Sequence, residues 1–139
     1  MERSLVLVKP DAMERGLAGA IIARLQTHGL KLVALRMLHM DRPLAERHYA
    51  VHAQKPFFND LVDYITESPI VAAVFEGDGA VARIREAMGA TDPAKAAPGT
   101  IRKDFGLDLQ RNAVHGSDSP ENAEKEIRLF FKKNEIFDK

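Results

Sequence analysis

The residues in this chain best suited to chemistry lie in the run Asn112-Ala113-Val114-His115-Gly116-Ser117-Asp118-Ser119. A single His stands among small and polar residues, with a hydroxyl two positions later and a helix start four to five positions on. Ser119 is a favoured N-cap type, Pro120 a favoured first helical residue, and Glu121 sits where the helix dipole favours an anion. Free amides at such a helix start, with Gly116 allowing close backbone approach, make the surroundings of His115 receptive to phosphate. An imidazole with a pKa near ~6.5 is largely neutral at cytoplasmic pH and can attack as a nucleophile. The plainer alternative, a His in a turn before a surface helix, is not removed by this run alone.

A second constellation supplies donors for phosphate oxygens: Arg85, Arg102 and Arg111, with Thr91, Thr100 and Lys9. Arginine forks and hydroxyls suit that task. Each also has an ordinary reading: Arg85 as an exposed helix cation, Arg102 as a solvated loop residue, Lys9 as an edge charge at a strand end. No G-x-x-x-x-G-K-[ST] or G-x-G-x-x-G is present, so neither a Walker loop nor a protein-kinase phosphate loop operates here. A nucleotide would have to be gripped by separated side chains, with His115 doing the chemistry.

The elements that must position these residues follow from periodicity. Ser4–Val8 is a continuous apolar run, as expected of a strand covered on both faces, and Lys9-Pro10-Asp11 ends it. Leu17–His28 fits a helix terminated by Gly29. Leu30–Met40 is a second strand whose alternation slips in the middle, which predicts a bulge or a change of burial. Asp41-Arg42-Pro43 opens a short helix carrying His48, Tyr49 and His52. Lys55-Pro56 starts another, with Phe57, Leu61, Tyr64 and Ile65 at helical spacing, a pattern that on its own makes Phe57 a core residue. Pro69–Phe75 is a third strand, and Asp78 or Gly79 begins a helix through Met88. Val114 and its neighbours form a short fourth strand, and the last helix runs from about Pro120 to Lys132, burying Ala123, Ile127, Phe130 and Phe131. This order is an α+β, ferredoxin-like βαββαβ sandwich: a four-stranded antiparallel sheet with helices on its faces. Gly89–Asn112 reads as one long loop with no apolar period to anchor it, a type usually functional or disordered.

Composition narrows the class. A chain of 139 residues fits one domain, 1–139, with a sizeable core. Zero Cys excludes a disulfide framework and thiolate zinc sites and fits a reducing compartment. Twenty acidic against twenty basic residues disfavour nucleic acid as the main partner. Met1-Glu2-Arg3-Ser4 lacks the apolar core of a signal peptide, and no apolar run approaches the ~20 residues of a membrane helix. The expectation is a soluble, cytoplasmic protein.

Asn-x-x-His-Gly-Ser-Asp-Ser, Lys9-Pro10-Asp11, and Pro98-Gly99-Thr100-Ile101-Arg102 between them resemble the nucleoside diphosphate kinases of bacterial type, in that family's order and spacing, from about Ser4 to about Phe131. The resemblance implies ping-pong transfer of the γ-phosphate of a nucleoside triphosphate to a nucleoside diphosphate through a phosphohistidine on His115. Arg85, Thr91 and Arg102 match the family's phosphate-gripping positions. Lys9 and Asn112 match its contacts to sugar hydroxyl and phosphate. Tyr49, Ser117 and Glu126 match residues that surround and orient the imidazole. Phe57 matches the aromatic on which the base stacks, and Leu109 lies where the family closes the base's other side. Periodicity cannot choose Glu126 over Glu124, which flanks the same apolar stripe; only the resemblance selects it.

Gly89-Ala90-Thr91-Asp92-Pro93 departs from the Gly-Glu-Thr-Asn-Pro of many members, so any bond made by that Glu is absent. The implied cofactor is Mg²⁺ held mainly by phosphates and water, with no protein side-chain ligand. The implied assembly is a homo-oligomer, tetramer or hexamer. Gly89–Asn112, without an apolar period, calls for a brace that another copy would supply, and the imperfect alternation of Leu30–Met40 offers a face for a symmetric contact; the tail Asn134–Lys139 fits either. Two other classes compete. A ferredoxin-like RNA-binding module would need an aromatic RNP strand, which is missing. A phosphorelay His protein would take phosphate from a partner and would have no use for Phe57.

Overall fold

The apolar run near the start of the chain sits at the centre of the fold. In the computed structural model, which describes residues 1–137, β1 covers Glu2–Val8. Its alternate side chains enter opposite layers, as the two-residue period of a strand requires. Val6 and Val8 pack with Ile21, Leu25, Ile84 and Met88, whereas Leu5 and Leu7 pack with Val62, Ile65, Ile127 and Phe130. Both faces are therefore apolar, and the sequence shows no alternation.

β1 pairs with β3 (Ile70–Gly77) on one side and with β4 (Val114–Gly116) on the other. β2 (Lys31–Leu38) lies outside β3, so the order is β2-β3-β1-β4, antiparallel throughout. The expected slip in β2 is a register shift between Leu32 and Ala34. The carbonyl of the skipped Val33 accepts from Phe137 N at 2.8 Å. Helices α2 (Ala18–Thr27) and α5 (Ala80–Met88) cover one face. The other carries α3 (Arg42–His48), α4 (Phe58–Ile65) and α7 (Pro120–Phe130). Asp41 and Ser119 cap α3 and α7 with their side chains.

Several local expectations need correction. Lys9-Pro10-Asp11 does more than end β1, because Pro10 is the first residue of a short helix, α1 (Pro10–Glu14). The helix expected to carry His48, Tyr49 and His52 stops at His48, with Tyr49 as its cap and a 3₁₀ turn over Ala50–His52. The segment between Gly89 and Asn112 is neither featureless nor unanchored. It holds a 3₁₀ turn, Pro93–Lys95, and helix α6, Ile101–Phe105, capped by Thr100. Ile101 is fully buried and Arg102 nearly so, with its guanidinium donating to Gly89 O at 3.2 Å and Val114 O at 2.9 Å. Ile101 and Arg102 help tie the segment down, and neither belongs to a repeating pattern. The end of the Asn134–Lys139 tail, Asp138 and Lys139, lies outside the described residues.

Candidate active site

Sheet register decides where His115 points. It pairs with Leu7, so both side chains face the layer of α3, α4 and α7, while Val114 joins the opposite layer. The imidazole thereby meets α7, where its Nε2 lies 3.0 Å from Glu126 Oε1. Ser117 Oγ donates to the same oxygen at 2.6 Å and accepts from Leu5 N at 3.3 Å. Burial pushes the Glu126 carboxyl up, but the bonds and charge of His115 and the Ser117 bond outweigh it and hold the group below its usual value. Glu126 is thus an anion whose proton acceptor faces the ring. Glu124, its competitor by periodicity, is 74% exposed and pairs with Arg128.

A carboxylate accepting at Nε2 selects the tautomer that carries its proton there. The lone pair then resides on Nδ1. Ring contacts fix the plane: His48 meets His115 edge-on with centroids 4.7 Å apart, and Tyr49 lies 4.7 Å from His48. His48 is buried with neither ring nitrogen bonded. Burial, then the neighbouring His115, lowers its pKa from 6.5 to about 3, so it is a neutral wall. Burial and then Glu126 raise the Tyr49 phenol, which stays protonated.

A cleft of about 510 Å³ opens in front of the imidazole, lined among others by Tyr49, Arg85, Thr91, Arg102, His115 and Glu126. Arg102 is the more informative cation. Burial, then the charge of Arg85, lowers its pKa to about 10, and its Nε is buried without a partner. Two like charges held together, one with an unused donor, form a site suited to an anion. Gly116 was expected to open the backbone to a ligand. A Cβ there would instead meet Met88 Sδ at 2.8 Å and Ile84 Cγ2 at 3.1 Å, so its missing side chain lets α5, and with it Arg85, approach β4.

Lys9, Asn112 and Ser117 stand behind the cleft rather than on its wall. Lys9 is buried, not an edge charge, and donates to Gln110 O at 2.7 Å and Asn112 Oδ1 at 2.9 Å. Asn112 Nδ2 donates to Thr91 O at 3.0 Å and Leu109 O at 3.2 Å, so one amide joins three of the expected nucleotide contacts. Phe57 is 44% exposed, against the core position its spacing suggested, and Leu109 is 63% exposed. Phe57 joins the cleft through His52, whose ring lies 5.7 Å away. Thr100 is a helix cap and Arg111 stacks over Tyr64 at 5.4 Å, so neither lines the cleft. A larger groove of about 840 Å³ near the start of β1 contains no His.

The chain matches the family model described as nucleoside diphosphate kinase over residues 2–136. The chain belongs to the nucleoside diphosphate kinase family. It is 60% identical over 136 residues to the nucleoside diphosphate kinase of Dehalococcoides mccartyi, covering 98% of this chain and 96% of the relative. Identity to that of Archaeoglobus fulgidus is also 60%, covering 98% and 90%. Among solved structures, the nucleoside diphosphate kinase of Aquifex aeolicus superposes with a TM-score of 0.95 at 46% identity, covering 97% of this chain and 98% of that one. The enzyme of Halobacterium salinarum in complex with CDP superposes with a TM-score of 0.96 at 50% identity, covering 99% and 92%. The sandwich is the fold of the nucleoside diphosphate kinases, and the chain is a phosphotransferase that moves a γ-phosphate from a nucleoside triphosphate to a nucleoside diphosphate.

Sequence reasoning missed His48 as a wall of the cleft. Its adjacency to Tyr49 was visible, but nothing local shows that α3 packs over β4.

Proposed function

We propose that the transfer runs through Nδ1 of His115. The observation that carries this reading is the 3.0 Å bond between Nε2 and Glu126, which leaves the other nitrogen as nucleophile. Nδ1 attacks the γ-phosphorus of a bound triphosphate, the bond from that phosphorus to the bridging oxygen breaks, and the diphosphate leaves with the electron pair. Positive charge gathered on the ring is balanced by Glu126. An oxygen of a second diphosphate then attacks the phosphorus, and the electrons of the N–P bond return to Nδ1. Splitting the transfer this way lets one cleft serve donor and acceptor in turn. Arg85, Arg102 and Thr91 grip the transferred phosphoryl group, where most of the barrier reduction is electrostatic. Lys9 and Asn112 order the sugar and phosphate end, Tyr49 and Ser117 brace the imidazole, and Phe57 and Leu109 flank the base.

Among the described residues, the His, Asp and Glu cluster able to hold a metal is His48, His115 and Glu126. It would consume the nucleophile and offers imidazoles rather than the oxygens that Mg²⁺ prefers. Mg²⁺ therefore fits as an ion carried on the phosphates and water, where it neutralises their charge. Phe57 stacks with any base face, so base discrimination is modest. No described helix is long and apolar enough to cross a membrane, and the lack of Cys suits the cytoplasm. Residues 1–139 act as one domain. The chain assembles into a homo-oligomer, tetramer or hexamer. Edge strand β2 supports this, with Leu35 51% and Met37 66% exposed. Within its own chain the loop of residues 89–112 is held by buried Ile101 and by the Arg102 bonds to Gly89 O and Val114 O. Light scattering at assay concentration tests the assembly, and a fully active ~15 kDa species would overturn it.

The decisive test of the reaction is incubation of the pure protein with γ-labelled ATP and Mg²⁺ alone. An acid-labile label on His115 is expected, with loss of activity by ~10⁴-fold or more in His115→Ala. No label without a partner protein, or label retained in His115→Ala, would contradict the reading.

A further inference from the structure

The buried carboxylate of Asp11 has no part in the reaction described above, yet it is 4% exposed and bonded on both oxygens. Oδ1 accepts from the Tyr64 hydroxyl, and Tyr64 Oη in turn accepts from Asp11 N at 3.0 Å. Oδ2 accepts from Arg15 at 3.3 Å and, across 102 positions of chain, from Ala113 N at 3.1 Å.

Ala113 is the one described residue other than glycine with positive φ, at 75°. Val114 N donates to Asn112 O at 2.9 Å, which closes a three-residue turn around it. That turn is rare because a Cβ crowds the backbone at such angles, so surrounding contacts must hold it. Lys9 N donates to Ala113 O at 2.9 Å, and Asp11 takes its amide; together they grip the peptide from both sides. The site residues hang directly from the turn. Asn112 precedes it with its bonds to Lys9 and Thr91. Val114, whose carbonyl receives Arg102, follows it, and His115 is next.

We propose that Asp11 is a positioning residue of the phosphoryl transfer: its carboxylate holds the strained turn at Ala113 and thereby sets the places of His115, Asn112 and Arg102. This rests on the reading of His115 as nucleophile. A clamp on a strained turn has a signature that ordinary core packing lacks. Removing the strain must substitute for the clamp, and glycine adopts this φ without crowding.

The test is a double-mutant cycle of Asp11→Ala and Ala113→Gly on the full chain, with circular dichroism and melting curves to confirm folding. The first readout is the single-turnover rate of His115 phosphorylation by Mg-ATP. The second needs no nucleotide: the nuclear magnetic resonance signal of the His115 Nε2 proton, which reports its bond to Glu126. Asp11→Ala is expected to slow phosphorylation by about 10²-fold, the scale of an ångström of misplacement, and to broaden the proton signal. Adding Ala113→Gly is expected to recover at least about tenfold and to sharpen the signal, whichever way the melting temperature moves. A double variant no faster and no sharper than Asp11→Ala would overturn the proposal, as would Asp11→Ala within threefold of the parent. Where Asp11→Ala fails to fold, Asp11→Asn, which keeps one acceptor oxygen, takes its place in the cycle. If the parent itself forms no phosphohistidine, the reading of His115 fails, and the proton signal still decides whether Asp11 holds the strand.

Discussion

Replacing Glu126 by Gln removes a charge while keeping the shape and one acceptor oxygen for His115 Nε2, now 3.0 Å away. What is lost is attraction between the carboxylate and the positive charge that the imidazole gathers as Nδ1 bonds to phosphorus. With charge centres about 4 Å apart and an effective dielectric near 20, two unit charges interact by about 4 kcal/mol. About half a charge develops by the transition state, so roughly 2 kcal/mol is at stake, or about 30-fold in rate. Solvent screening takes little of this, since the side chains are 26% and 17% exposed. Rapid-quench measurement of phosphohistidine formation from labelled ATP in a single turnover isolates this step from product release. A fall of 10- to 100-fold is expected, about the worked value, with Glu124→Gln as a control that changes nothing. A folded Glu126→Gln variant within threefold of the parent would refute the reasoning, for the ring would then be oriented without being electrostatically supported.

Burial, opposed by Asp11 and assisted by Arg102, lowers Lys9 from 10.5 to about 8. In the free enzyme its charge is lost as pH rises through 8, so kcat/KM for nucleotide should fall several-fold with an inflection there and more than kcat does; a profile unchanged in Lys9→Met would count against this. The same shift makes folding stability rise with pH between about 8 and 10.5, where the unfolded chain binds a proton that the folded one refuses. For His48, lowered from 6.5 to about 3 by burial and then by His115, the refused proton lies at acid pH. Stability should therefore drop as pH falls below about 6.5, by roughly 2 kcal/mol between pH 7 and 5. His48→Phe should flatten that slope in urea titrations, and a slope that persists would assign the loss to other groups. Base preference, read as kcat/KM across the four common nucleotides, should span less than ~10³-fold, because a larger span implies ~4 kcal/mol of edge recognition that no described side chain has been assigned.

Much of this molecule was written locally. The apolar run of β1, the Ser119 cap and Pro120 start of α7, the stripe Val81, Ile84 and Met88 of α5, and the slip in β2 all act within a few residues of their cause. The sandwich class follows from their order. The chemical types at His115, Arg102 and Thr91 also lay open in the sequence, since their motifs are contiguous.

Other features came into being only when distant segments met. Glu126 and Glu124 are equivalent on a helix, and the approach of β4 to α7 makes one the partner of His115 and leaves the other in solvent. Phe57 keeps helical spacing, yet it falls at the cap of α4 and stands exposed, because periodicity records spacing and not where a helix stops. Lys9 reads as an edge charge until β4 and the loop before it close over its ammonium. The bond of His115 Nε2 to Glu126, the neutral wall of His48 and the grip of Asp11 on Ala113 are contacts across 11 to 102 positions of chain. No pattern in a single segment encodes them, since each depends on the pairing of β4 with β1, three residue pairs set by the whole sheet.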